Sequence, residues 1–89
     1  MIHKDRYMDS LLNKIIGESL KKARENKGMS LEQLADRLNR VSRQTLSTYE
    51  TGRSKIRIDM FLDICHVLGI NANELFDEIN IRYIKNAKL

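Results

Sequence analysis

The segment MSLEQLADRLNRVSRQTLSTYETG, Met29–Gly52, carries the start signals of two consecutive short helices. Ser30 and Ser42 each precede a helical pattern, and Ser caps helices well because its hydroxyl oxygen accepts an otherwise unpaired backbone N–H. Gln33 completes a capping box after Ser30. Apolar pairs with the spacing of a hydrophobic staple flank both caps: Met29 with Leu34, and Val41 with Leu46. The segment therefore predicts two helices joined by a tight turn, the second of them ending at Gly52.

Apolar spacing outside this segment predicts three more helices. Their expected bounds are about Ser10 to Asn26, about Ile58 to Leu68, and a fifth helix capped by Asn71. The fourth helix has an i, i+3, i+4, i+7 stripe, which predicts a buried face. That stripe consists of Ile58, Phe61, Leu62 and Cys65.

The expected fold is thus all-α, with five helices, and its ends are assigned separately. We expect residues 1–9 to form a short arm, residues 10–77 the domain, and residues 78–89 a C-terminal tail available for dimerisation. The tail fits two conformations. Ile79, Ile81 and Tyr83 alternate like a strand, whereas Phe76, Ile79 and Tyr83 also continue a helix face. Both alternatives stay open at the level of sequence.

Charge and composition narrow the class of partner. The 89 residues have a net charge of +4, and the excess lies in residues 1–57, which carry +6 against −2 for residues 58–89. Such asymmetry favours a polyanionic partner, although a basic soluble domain has the same composition. No apolar run approaches the ~18 residues of a membrane span. One cysteine excludes an internal disulfide and fits a reducing compartment, so we expect a cytoplasmic protein.

The third helix carries a polar face opposite Leu46 and Tyr49, which are expected to point into the core. The side chains of this face can bind the edges of bases. Arginine forms two hydrogen bonds to guanine, glutamine forms two to adenine, and a threonine methyl group contacts the methyl group of thymine. An exposed polar helix face without a ligand has the same pattern. The proposed base-reading residues are Arg43, Gln44, Ser47 and Thr48.

Basic and hydroxyl residues surround this helix and are candidates for contacts to a nucleic-acid backbone, which positions a protein beside its base contacts. The set comprises Arg40, Ser42, Thr51, Arg53, Lys55 and Arg57. No arrangement suggests an activated nucleophile, a phosphate-binding loop or a metal site, so we expect neither an enzyme nor a cofactor. The adjacent Cys65 and His66 do not make a set of metal ligands.

The segment from about Ile16 to Phe76 resembles the lambda-repressor/Cro-like helix-turn-helix family. The resemblance is carried by ARENKGMSLEQLADRL, VSRQTLSTYETGRSK and the capped NANELF. It implies a five-helix domain that binds double-stranded DNA, usually as a dimer, and an ion pair between Arg24 and Glu50. Three features depart from the family pattern: the turn at Asn39-Arg40 is one residue longer, Leu31 replaces a frequent glutamine, and the usual Pro and Ser near Ile56 and Arg57 are absent.

Three hypotheses for the function follow. The leading hypothesis is a homodimeric transcriptional regulator, acting as a repressor on a palindromic operator. The alternative is an antitoxin-type or other protein-partner module that also binds its own promoter, and a structural domain without DNA binding is the third. The residues expected at a dimer interface are Phe76, Ile79, Ile81, Tyr83 and Ile84.

Overall fold

A computed structural model describes the backbone of residues 2–87 and the side chains of residues 10–87. Over these residues the chain forms five helices and no strand, as predicted. The helices are α1 (Ile2–Asn26), α2 (Leu31–Leu38), α3 (Arg43–Glu50), α4 (Ile58–Leu68) and α5 (Ala72–Ala87). Within this part of the chain, none of them combines the length and apolar character needed to cross a membrane.

Side-chain caps fix the starts of α2, α3 and α5 where the sequence predicts them. Ser30 Oγ accepts a hydrogen bond of 3.0 Å from the Gln33 backbone, and Gln33 Oε1 accepts one of 2.8 Å from the Ser30 backbone. Ser42 Oγ accepts from the Thr45 backbone at 3.0 Å. Asn71 Oδ1 accepts from two N–H groups in the first turn of α5, at 2.8 and 3.1 Å. Each cap satisfies donors that the helix itself leaves unpaired.

The turn between α2 and α3 depends on Asn39. This residue has φ 57° and ψ 24°, a left-handed conformation that asparagine tolerates better than most residues. Its backbone N–H donates to the Ala35 carbonyl at 3.0 Å and so closes α2. The longer turn therefore still brings α3 back against α2.

The core lies where α1, α2, α3 and α4 meet, with α5 packed along α1. In α4 the expected buried stripe is partly wrong. Phe61 and Cys65 are buried, but Ile58 and Leu62 are 66% and 48% exposed. The face that packs inward is turned slightly around the helix and consists of Met60, Phe61, Ile64, Cys65 and Leu68. Both stripes have helical spacing, and only the direction of packing distinguishes them.

The ends of the chain differ from the expected arm and tail. The first helix begins at Ile2 and not at Ser10, and residues 1–9 contain no Gly or Pro to interrupt it. Helix α5 continues to Ala87, so the helical alternative for the tail holds and the boundary at residue 77 falls inside a helix. Arg82 connects the C-terminal part of α5 to α1, because its Nη1 donates a hydrogen bond of 3.0 Å to the buried Ser19 Oγ.

Candidate nucleic-acid interface

Helix α3 presents one face to the core and another to solvent. Leu46 is 1% exposed and Tyr49 is half-buried, as the helical spacing predicts. Arg43 and Gln44 are exposed, and Ser47 is half-buried beside them. Within residues 10–87, neither Arg43 nor Gln44 has a side-chain hydrogen bond or ion pair. These two side chains are therefore available to an external ligand.

Thr48 has a different environment from the other three proposed base-reading residues. Its hydroxyl donates to the Thr45 carbonyl at 2.7 Å and lies 2.8 Å from Ser54 Oγ. The methyl group is therefore the part of the Thr48 side chain that is available to contact a base. Ser54 was not identified from the sequence, because a contact between side chains six positions apart matches no helical or strand spacing. The hydrogen bond between Ser54 and Thr48 connects the loop after α3 to the helix.

The hydroxyl groups at the two ends of α3 also make intramolecular bonds. Ser42 caps the helix, and its Oγ also donates to Thr45 Oγ1 at 3.0 Å. Thr51 Oγ1 donates to the Ser47 carbonyl at 2.9 Å. Both residues are exposed at the ends of the helix, so a phosphate contact would have to share or replace these bonds.

The loop between α3 and α4 is basic. Gly52 turns the chain with φ +76°, a value that L side chains rarely adopt, and Arg53, Lys55 and Arg57 follow it as exposed residues. Arg57 Nε donates to Asp59 Oδ1 at 3.3 Å, although the Arg57 side chain is 85% exposed. Desolvation opposes ionisation of Asp59, but hydrogen bonds from Arg57 and from the Met60 backbone lower its pKa below the usual value. The loop after α3 thus carries three exposed cations, and Asp59 offsets part of the charge of Arg57.

Arg40 lies in the turn between α2 and α3, and its guanidinium pairs with α4. Its Nη2 donates to Asp63 Oδ2 and lies 3.8 Å from Asp59 Oδ2. The predicted phosphate contact would have to compete with these carboxylates, although the Arg40 side chain is 46% exposed. The observed role of this side chain is to join the turn to the first half of α4.

A buried ion pair fixes the end of α3 to α1. Arg24 Nε and Nη2 donate to the two carboxylate oxygens of Glu50 at 2.7 and 2.9 Å, and Arg24 Nη1 donates to the Met29 carbonyl at 2.7 Å. The residues are 7% and 8% exposed. The hydrogen bond to Glu50 raises the pKa of Arg24, and burial opposes it. The structure therefore contains the pair that the resemblance implied.

A second surface lies where α5 meets α1 and the start of α4. An apolar groove there is lined by Leu12, Ile16, Ile56, Ile58, Phe61, Phe76, Ile79, Asn80 and Tyr83. Phe76 and Ile58 are 57% and 66% exposed, whereas Ile79 is 4% exposed. Ile79 was expected at a dimer interface, but it belongs to the core of its own chain. Ile81 and Ile84 are exposed but do not line the groove.

Cys65 lies in the core and not at the surface. Cys65 is 2% exposed, and burial raises the pKa of its thiol. Among the described residues, no group of three His, Cys, Asp or Glu side chains could hold a metal ion. The exposed polar face of α3, with its basic loop, is therefore the candidate site.

Two short helices joined by a left-handed turn, the second presenting a polar face and a basic loop, define a helix-turn-helix protein. The model of the helix-turn-helix family matches residues 20–75. The chain belongs to this family, in its lambda-repressor/Cro-like form.

Solved structures share this fold, and a curated relative is similar in sequence. A crystal structure of the clp gene regulator ClgR from Corynebacterium glutamicum is 30% identical with a TM-score of 0.76, covering 86% of this chain and 81% of that one. A second ClgR structure from the same organism is 32% identical with a TM-score of 0.71, covering 78% and 88%. A "Putative HTH-type transcriptional regulatory protein" of Methanococcus vannielii is 34% identical over 73 residues. That match covers 75% of this chain and 22% of the relative, so the chain spans about a fifth of that protein.

Proposed function

We propose that the chain is a sequence-specific regulator of transcription that binds double-stranded DNA and reads the major groove with α3. The observation that carries this proposal is the exposure of Arg43 and Gln44, without intramolecular partners among the described residues, at the start of a helix anchored by the Arg24–Glu50 pair. The N-terminal residues of a recognition helix make the base contacts in this class of protein. The names of the curated and structural relatives also describe regulators.

Each proposed base contact has a chemical basis. The Arg43 guanidinium can donate two hydrogen bonds to guanine O6 and N7, and the Gln44 amide can bond adenine N6 and N7. Ser47 can donate or accept, and the Thr48 methyl can contact thymine. Arg43 and Gln44 make the strongest candidates, because their polar groups have no competing intramolecular bonds within residues 10–87.

The proposed phosphate contacts lie at the ends of α3 and in the following loop. Arg53, Lys55 and Arg57 supply the charge, while Ser42 and Thr51 supply hydroxyl groups at the helix ends. Each phosphate that the protein neutralises should add about 0.9 to the slope of log affinity against log salt. Arg40 is the weakest candidate for this set, because it pairs with Asp63 and lies near Asp59, whereas Arg57 meets Asp59 alone and is 85% exposed.

We further propose a homodimer with repressor activity in the cytoplasm. The groove beside Phe76 and Ile58 is apolar and open, and a second copy of the chain would remove it from water. Two copies related by a twofold axis would read a palindromic operator with half-sites about 34 Å apart. A dimer seated in the major groove of a promoter excludes other proteins from that DNA, which favours repression.

Selection of bound sequences from a pool of random duplexes tests the proposal. Enrichment of a palindrome with half-sites about one helical turn apart would support both the DNA-binding and the dimer assignments. Enrichment of a single asymmetric half-site would support base reading and reject the dimer. A pool that stays random after repeated rounds, with protein of native helical content, would reject the proposed function.

The antitoxin-type or protein-partner function is the second candidate, and the exposed groove favours it as well. Both functions bury Phe76, so the composition of the complex distinguishes them. Light scattering of the purified chain should give the mass of two copies for the regulator. A monomer that becomes a one-to-one complex only on co-expression with a second protein would support the alternative.

A further inference from the structure

Gly17, in the middle of α1, lies directly against the last residues of α3. A Cβ atom at Gly17 would come within 2.3 Å of the Tyr49 carbonyl oxygen and 2.5 Å of the Glu50 carbonyl oxygen. Real Cβ contacts are not shorter than 3.0 Å, and ordinary contacts begin at 3.4 Å. Any side chain at Gly17 would therefore push α1 and the end of α3 apart by about 1 Å.

Two further contacts hold the same end of α3. A Cβ at Gly52 would lie 2.8 Å from Lys14 Cα, so the loop after α3 also touches the backbone of α1. The Arg24–Glu50 pair adds the third connection. Since Gly17 and Gly52 lack side chains, the backbones of α1 and the α3 end approach more closely than other residues would allow.

We propose that Gly17 is a positioning residue for base reading, and that its missing side chain sets the depth at which α3 enters the groove. This inference rests on the proposed DNA-binding function. Helix α3 has eight residues and spans about 12 Å. Because so short a helix moves as a rigid unit, a displacement at Glu50 also displaces Arg43 and Gln44. Hydrogen bonds to bases hold their donors and acceptors within about 2.7–3.2 Å, so a shift of about 1 Å removes them.

Gly17→Ala tests the proposal with a minimal change. Gly17 is buried within the chain and so cannot touch DNA, and the substitution alters no charge. Alanine also favours a helix interior over glycine, so local propensity opposes any loss of stability. Gly28→Ala is the matched control: Gly28 has φ +69°, which strains an alanine, but nothing lies within 4 Å of its Cβ position.

The measured quantity is the ratio of affinity for a selected duplex to affinity for a random duplex of equal length. We expect Gly17→Ala to lower this ratio about tenfold or more, the effect of losing one good base contact, with affinity for random DNA changed less than about twofold. Gly28→Ala should keep the wild-type ratio. A wild-type ratio in Gly17→Ala overturns the inference.

Two outcomes distinguish a failure of this inference from a failure of the proposed DNA-binding function. If the wild-type chain itself shows no preference for any duplex, the proposed function fails and not the role of Gly17. If circular dichroism shows that Gly17→Ala does not fold, Arg24→Lys takes its place. Lysine keeps the charge of Arg24 but loses the two-pronged bond to Glu50, so the end of α3 is again free to shift. An unchanged ratio in that variant would show that base reading does not depend on how the end of α3 is held against α1, and it overturns the inference.

Discussion

Arg24 and Glu50 form a buried, two-pronged ion pair that joins α1 to the end of α3, with N–O distances of 2.7 and 2.9 Å. The remaining nitrogen of Arg24 donates to the Met29 carbonyl just before α2. One side chain thereby connects three segments of the domain. In the described part of the chain no buried side-chain nitrogen or oxygen lacks a hydrogen-bond partner, which suits such an arrangement.

Glu50→Ala should lower the free energy of unfolding by about 3–5 kcal/mol, because it leaves the buried Arg24 guanidinium without its counter-charge. Glu18→Ala is the matched control, since Glu18 pairs with Arg82 at 2.8 Å but is about half-exposed. That loss should be about 0–1 kcal/mol. Urea denaturation followed by circular dichroism measures both. Equal losses would mean that burial adds nothing to the Arg24–Glu50 pair.

The Arg24–Glu50 pair also shows which features the sequence predicts by local physics and which it does not. The caps at Ser30, Ser42 and Asn71 were predicted because each bonds to a backbone group two or three residues away. The ion pair joins residues 26 positions apart, and no spacing rule indicates it. Only the resemblance to a family implied it.

Other differences have the same origin in tertiary packing. The rotation of α4 about its own axis determines which side faces the core. Ile58 is therefore exposed and Met60 is buried, although both residues fit a helical stripe. Arg40 meets Asp63 across 23 positions, so no spacing rule in the sequence indicates this ion pair. Helix α5 continues past residue 77 because Ile79 and Arg82 find partners on α1 and in the core.

Arg40 should affect DNA binding far less than Arg53. The double variant Arg40→Gln/Asp63→Asn removes the ion pair without leaving either charge unpaired. It should leave the salt dependence of DNA binding unchanged, because a guanidinium held by Asp63 neutralises no phosphate and releases no counterion from DNA. Arg53→Gln should reduce the slope of log affinity against log salt by about 0.9, the loss of one phosphate contact. Titrations at several salt concentrations measure both slopes. A reduction of about 0.9 in the double variant would show that Arg40 contacts a phosphate despite its ion pair with Asp63.

The thiol of Cys65 should be protected in the native state. It is the single cysteine of the chain, it is 2% exposed, and burial raises its pKa. The folded state thus disfavours the thiolate, so this group contributes less stability as pH rises through the ordinary thiol pKa. Labelling with a thiol reagent at pH 8 should be slow in buffer and should accelerate through the urea transition. Rapid labelling of the native protein would contradict burial of Cys65.

The groove beside α5 should control the oligomeric state. Phe76→Ser removes an exposed aromatic side chain from the rim of the groove, and we expect the dimer to dissociate to a monomer in light scattering. Ile81→Ser is the matched control, because Ile81 is 63% exposed on the same helix but does not line the groove. This variant should stay dimeric. Dissociation by Ile81→Ser alone would place the interface on the other face of α5.

Gln44 and Arg53 should differ in the kind of DNA affinity that they supply. Gln44→Ala should reduce affinity for the selected operator by about 1–3 kcal/mol and relax preference at one base pair, with little effect on random DNA. Arg53→Ala should weaken operator and random duplexes alike, because a phosphate contact carries no sequence information. Selection from a random pool with each variant shows which base pair loses its preference. If Gln44→Ala weakens both classes of DNA equally, α3 does not read bases through Gln44, and the exposed amide is a surface group.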